Sequence, residues 1–144
     1  MTLLQYDENG CLLPGEHEMT WHEFENAFAY NALRKQLFSQ LMSFVELYCK
    51  ECRFIATIGG SYVTNKEQPN DMDVAFNFGL EKPSLYERNQ AQKIIDDRER
   101  IKREYGLDAF FGVAWKARFQ RLRPLVMNLQ AMPSNHKGTV KIEL

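Results

Sequence analysis

Three cysteines, no long apolar run and almost no net charge set the first limits on this chain. Cys11, Cys49 and Cys52 are too few to staple a disulfide-rich secreted domain. Cys49-Lys50-Glu51-Cys52 has the spacing of zinc and redox motifs, but no second pair or neighbouring histidine completes a zinc set, and reduced thiols in a cytoplasmic setting are the expectation. No apolar stretch reaches the ~20 residues that cross a bilayer, and no leader of basic-then-apolar type opens the chain, so no membrane partner is expected. The formal net charge is −1 and the pI about 6.3. Binding nucleic acid without regard to sequence demands a basic excess that is missing here, and DNA is not an expected partner.

What is present is enough for a core. The chain has 144 residues, 44% of them apolar and 12% aromatic, which points to one packed domain rather than disorder. Residues 1–19 form an arm punctuated by Asn9-Gly10 and Pro14-Gly15, with room for a short strand or hairpin. Residues 20–50 are helical: Thr20-Trp21-His22-Glu23 has the form of a capping box, and Phe24, Phe28, Leu33, Leu37, Leu41, Phe44, Val45 and Tyr48 follow mostly at helical steps. So long a helix is expected to break near Tyr30-Asn31. Residues 54–144 supply a sheet and further helices. Phe54–Ile58 is a short buried strand, and Ser84-Leu85-Tyr86-Glu87 is a second capping box. The helix it opens runs to Gly106 with Leu85, Ala91, Ile94, Ile95, Ile101 and Tyr105 inward and Asp96–Arg100 as a solvated charged face. Leu107–Ala114 is a third strand. Trp115–Met132 is helical in its first part, with Lys116, Arg118, Arg121 and Arg123 giving it a basic face that suits phosphates or simply water. Gly138–Leu144 alternates as a final strand, placed at the sheet edge. The fold class expected is α+β: a mixed sheet of about four to five strands with helices mainly on one face.

The most informative stretch runs from Gly59 to Phe76. Alternation along a strand puts Met72, Val74, Phe76 and Phe78 on one face and Asp71, Asp73, Ala75 and Asn77 on the other. The two carboxylates then stand about 7 Å apart along the strand. Like charges that close repel unless one is protonated or a cation lies between them. Hard oxygen ligands suit Mg²⁺ or Mn²⁺, and two such ions can clamp an in-line phosphoryl displacement. Opposite them, Gly59 and Gly60 let a ligand approach the backbone, and Ser61 offers a hydroxyl and an amide to a phosphate. Asp108 is a carboxylate in an otherwise apolar strand, where an unpaired charge is expensive. It is either a third carboxylate beside Asp71 and Asp73 or a strand-end residue left in water.

Gly60-Ser61 followed by Asp71-Met72-Asp73 resembles the Gly-Ser…Asp-x-Asp signature of the DNA polymerase β-like nucleotidyltransferase superfamily. The longer Gly60-Ser61-Tyr62-Val63-Thr64-Asn65-Lys66…Pro69-Asn70-Asp71-Met72-Asp73-Val74 is similar to a group of short prokaryotic members of it. The likeness extends to Glu8–Gly15 and to Lys137–Val140, and is loose between Leu80 and Tyr105. It implies that 1–144 is a single, minimal nucleotidyltransferase-like domain. It further implies that Asp71, Asp73 and Asp108 hold Mg²⁺ or Mn²⁺, with Asp108 helping to deprotonate the attacking hydroxyl. Gly60 and Ser61 would bind the phosphates of an NTP, ATP being the first choice, and Lys66 would neutralise them unless it is merely a solvated turn lysine. The activity implied is transfer of an NMP to a protein side chain or an RNA end, as small relatives in toxin–antitoxin and phage-defence modules perform. The other reading is an antitoxin-like or complex-subunit binding module with little or no turnover. The loop from Ser61 to Asp71 is short and the chain lacks a second domain of the kind that holds base or acceptor in larger relatives, which points to a protein partner or a homo-oligomer.

Overall fold

A computed structural model of the chain describes residues 4–8, 10–112 and 138–144. The expected basic helix with Lys116, Arg118, Arg121 and Arg123, and the loop with His136, lie outside the described residues.

The described chain is α+β. A mixed five-stranded sheet carries four helices, with β1 (Glu16–Glu18), α1 (Trp21–Phe28), α2 (Ala32–Tyr48), β2 (Phe54–Gly59), β3 (Met72–Phe78), α3 (Leu85–Asp96), α4 (Arg98–Tyr105), β4 (Leu107–Phe111) and β5 (Thr139–Glu143) in chain order. Across the sheet the strands stand β1-β5-β2-β3-β4. β2 runs antiparallel to both β3 and β5, while β1–β5 and β3–β4 are parallel pairs. β5 is thus an interior strand, not the edge strand that its alternation suggested. Its Val140 and Ile142 are buried, and the three-residue β1 covers its outer side.

The first capping box forms as expected. The Glu23 amide donates to Thr20 Oγ1 at 3.1 Å and the Thr20 amide to Glu23 Oε1 at 3.0 Å. The helical stretch breaks where expected, after Phe28, because Asn31 turns extended and its Oδ1 caps α2 by accepting from the Arg34 amide at 2.9 Å. The second box also forms, and its Glu87 reaches further: Oε1 accepts from Ser84 N at 2.9 Å and Oε2 from Arg53 N at 2.8 Å. One carboxylate so ties the start of α3 to the start of β2.

The helix after Ser84 is two helices. Asp97, with φ −94° and ψ 14°, separates α3 from α4, and its carboxylate accepts a 3.0 Å bond from the Tyr48 hydroxyl of α2. The inward stripe of α3 is Glu87, Ala91 and Ile94; Leu85 and Ile95, expected inside, are 72% and 50% exposed. Leu85 opens the helix ahead of that stripe, and Ile95 falls one step round from Ile94. The charged run does not simply face water either, since Arg98 lies over the Phe110 ring at 4.1 Å. α4 ends at Gly106 in the left-handed conformation, φ 68°, as its C′ position predicts.

The core lies on the sheet face that carries Phe54, Ala56 and Ile58 of β2 and Met72, Val74 and Phe76 of β3, all buried. Phe44 of α2 sits 5.6 Å from the Phe76 ring and 4.8 Å from Tyr48. Phe24, Phe28 and Leu41 join the same cluster, as do Ile94 and Ile101 of α3 and α4. Burying one such phenylalanine contributes about 3 kcal/mol relative to leaving it in water. The Asp73 face of β3 is therefore the face turned away from this core.

Candidate active site

β2 delivers the site's first half at its C-terminal end. After Gly59 the chain turns at once, with Gly60 at φ +73° and a 3-10 turn over Gly60–Val63. Glycine is required at position 60 twice over. The left-handed φ disfavours an L side chain, and a Cβ there would strike the Asp73 carboxylate.

Sheet register delivers the second half. Gly59 is paired with Asp73 on β3, and Asp73 with Asp108 on β4. Partners on adjacent strands present side chains on the same face roughly 5 Å apart, so Asp73 and Asp108 are neighbours by construction. Asp71, two residues before Asp73, lies just ahead of β3 and joins them. One carboxylate oxygen from each of Asp71, Asp73 and Asp108 falls within 4.8 Å of the others. The structure thus brings together all three carboxylates that the sequence singled out. It also places Gly60, Ser61 and Lys66 with two of them: a pocket of about 310 Å³ is lined by Gly60, Ser61, Thr64, Lys66, Asn70, Asp71 and Asp73. Asp108 lines a second pocket, about 500 Å³, with Ile95, Asp96, Arg98, Glu99 and Lys102.

Sequence reasoning missed Lys102. From α4 its Nζ donates to Asp108 Oδ1 at 2.9 Å, to Asp108 Oδ2 at 2.8 Å and to Asp71 Oδ2 at 3.3 Å. Burial alone would raise the Asp108 carboxyl, but the hydrogen bond and charge of Lys102, together with hydrogen bonds to Asp73 and Asp71, hold the group below the usual carboxylate range. In return the hydrogen bonds to Asp108, with the one to Asp71, hold the ammonium above its ordinary value. Nothing in the local pattern around Lys102 marks it; only the tertiary path of α4 beside β4 does. Arg34, the other missed residue, had a signal: it is a lone charge in the apolar stripe of α2, and it is fully buried.

The donor set fits a hard divalent cation. Three carboxylate oxygens converge, they are ligands of the kind that Mg²⁺ and Mn²⁺ prefer, and Gly60 leaves space beside Asp73 that a side chain would fill. A cation bound there would take over the charge balance that Lys102 supplies. The cysteines offer no rival centre. Cys49 and Cys52 are free and buried, and burial pushes Cys52 up to about 11 and Cys49 higher still, which disfavours the thiolate near neutral pH. A cavity of about 920 Å³ borders these cysteines and is lined by none of the three carboxylates.

Fold and site define a small α+β protein with an acidic triad beside a Gly-Ser turn. The chain belongs to a family of unknown function, DUF6932, whose model matches residues 4–143. Neither the curated proteins nor the solved structures include a match to it.

Proposed function

We propose that this protein is a metal-dependent nucleotidyltransferase that moves an NMP from an NTP, ATP in the simplest case, to a hydroxyl of a protein side chain or an RNA end. The observation that carries the reading is the convergence of Asp71, Asp73 and Asp108 within 4.8 Å on the strand ends beside Gly60-Ser61. A divalent ion on these carboxylates would supply positive charge to the phosphate oxygens as charge develops there. The chain's own groups would do the rest. Gly60 admits the phosphates close to the backbone, while the Ser61 hydroxyl and the Lys66 ammonium face their oxygens in the same pocket. Asp108, held as a carboxylate beside the Lys102 ammonium, would accept the proton of the acceptor hydroxyl. The hydroxyl oxygen bonds to the α-phosphorus, the bond from that phosphorus to its bridging oxygen breaks, and pyrophosphate leaves. Positioning and electrostatics dominate such transfers. The acceptor would enter from the Asp108 side, and a protein partner or a second copy of the chain would complete its site. A cytoplasmic setting, in a toxin–antitoxin or phage-defence module, belongs to the same proposal. Among the described residues no helix is long and apolar enough to cross a membrane.

One observation favours a second reading. Lys102 already neutralises part of the triad, which suits a nucleotidyltransferase-like binding module that turns over little or nothing. Incubation with each α-³²P-labelled NTP, Mg²⁺ or Mn²⁺ and cell lysate separates the two. Label on protein or RNA with wild type but not with Asp71→Ala/Asp73→Ala supports transfer. Equal labelling by both would overturn the site, and no label with nucleotide still bound would favour the binding module.

A further inference from the structure

Arg34 stands in the inward stripe of α2 with Leu37, Phe38 and Leu41 and is fully buried. A buried charge is expensive unless the surroundings compensate it. Here the compensation is backbone carbonyl oxygen. Nη1 donates to Phe28 O at 3.2 Å and Tyr62 O at 2.6 Å; Nη2 donates to Thr64 O at 3.0 Å and Lys66 O at 2.5 Å. The guanidinium also lies 4.6 Å and 4.9 Å from the Tyr30 and Tyr62 ring centres. Among the described residues it makes no ion pair with a carboxylate.

Three of those carbonyls are at every second residue. They run from Tyr62 in the 3-10 turn, through Thr64, which is extended at φ −119° and ψ −179°, to Lys66. A planar fork can meet such a row where an ammonium cannot. Asn31, one turn earlier, extends the row by donating Nδ2 to Glu67 O at 2.8 Å. The Tyr62 hydroxyl closes the arrangement by donating to Arg34 O at 2.8 Å. The segment 62–67 is therefore fastened to the start of α2, and two of its fastened residues, Thr64 and Lys66, line the pocket that holds Gly60 and Ser61. An apolar side chain in this stripe would pack without the burden of a buried charge, so what Arg34 holds accounts for its presence. Among the described residues no carboxylate pairs with it, and its positive charge favours an anion in the adjoining pocket.

We infer that Arg34, assisted by Asn31, is the positioning residue for a polyphosphate tail: it fixes the Tyr62–Glu67 segment so that Lys66 and the Ser61 turn, which the Thr64 hydroxyl holds by donating to Ser61 O at 2.6 Å, face the phosphate oxygens, and it places a buried positive charge behind them. The identity of the anion rests on the nucleotidyl-transfer reading. Two variants separate the positioning role from stability alone. Arg34→Lys keeps the charge but not the fork. Asn31→Asp keeps an oxygen to cap α2 but cannot donate to Glu67. Each would be titrated with Mg²⁺ and inorganic pyrophosphate by calorimetry, with Mn²⁺ alone by electron paramagnetic resonance, and melted.

Both folded variants should bind Mn²⁺ as wild type does and pyrophosphate about tenfold more weakly or worse, the effect of one hydrogen bond on affinity. Wild-type pyrophosphate affinity in both would overturn the inference while leaving nucleotidyl transfer standing. Should Arg34→Lys not fold, Asn31→Asp alone decides. Wild type that binds no pyrophosphate would overturn the inference and the phosphate pocket together. Arg34-dependent pyrophosphate binding without any label transfer would keep the inference and remove the transferase reading.

Discussion

Among the described residues the fully buried Arg34 guanidinium meets backbone carbonyl oxygens and aromatic rings, whereas Lys102 is half exposed and lies on two carboxylates. Each cation serves one half of the candidate site. The Gly-Ser half is fastened from behind by a guanidinium that water does not reach, so its hydrogen bonds act at low dielectric and are a permanent part of the fold. The carboxylate half is neutralised by an ammonium that water does reach, where such pairs are worth about 0–1 kcal/mol. The difference teaches that one half is architecture and the other is exchangeable: a phosphate would meet a ready-made pocket, and a divalent ion would have to displace a lysine.

Each side of this comparison can be broken on purpose. The largest expected effect falls on the carboxylates, where Asp73→Asn should lower label transfer by on the order of 10²–10³-fold or more, as loss of a group that stabilises developing charge does. Its melting temperature should move little, and retained transfer in the metal-dependent assay would show that Asp73 does no chemistry. Arg34→Met should be the most damaging to the fold. It leaves the carbonyls of Tyr62, Thr64 and Lys66 without their donor, and urea unfolding should report a loss of about 3 kcal/mol or more; an unchanged midpoint would mean that the segment holds itself in place.

Gly60→Ala tests the seam between the halves. The left-handed φ and the collision with Asp73 should destabilise it by about 1–3 kcal/mol and reduce nucleotide binding in the same calorimetric titration. Lys102→Met sharpens the contrast with Arg34. It should leave the unfolding midpoint within about 1 kcal/mol and tighten Mn²⁺ binding by about tenfold, because the competing ammonium is gone while the carboxylate repulsion remains. Weaker Mn²⁺ binding would instead make Lys102 a support of the cation site.

The smallest effect is a pH dependence remote from both. The Ser84 amide first, then that of Arg53, hold Glu87 below the ordinary glutamate range. A depressed carboxyl stabilises the fold above its unfolded value, about 4.3, and that contribution is lost as the pH falls through the folded value. Glu87→Gln should therefore unfold about 1 kcal/mol more easily at pH 7 and show a flatter loss of stability below pH ~4. An equally steep acid limb in the variant would assign the pH dependence to other carboxylates.

Much of this was legible in the chain. Local rules place both capping boxes, the break at Asn31 and the Gly106 cap, because their partners lie within a few residues. The period of two in β3 put Asp71 and Asp73 opposite the core. Other features escaped for a common reason. The split at Asp97 answers to Tyr48, far away in the chain. Leu85 and Ile95 are as apolar as Ile94, and only the orientation of α3 against its neighbours separates them. β5 alternates as an edge strand would, and its interior place depends on β1 covering it. Lys102 sits in a charged run that any solvated helix could carry.

The order of residues alone therefore determined most of the described elements, the apolar face of the sheet and the pair of carboxylates on the other, because periodicity and capping act over one or two turns of chain. Tertiary structure decided that Asp108 stands in register with Asp73, that Lys102 reaches both Asp108 and Asp71, and that Arg34 is buried against the Tyr62–Lys66 carbonyls. Each of those joins residues whose separation along the chain places no local constraint on their meeting. Strand pairing and helix packing supply that constraint, and the charges come to rest where carboxylate or carbonyl oxygen can balance them.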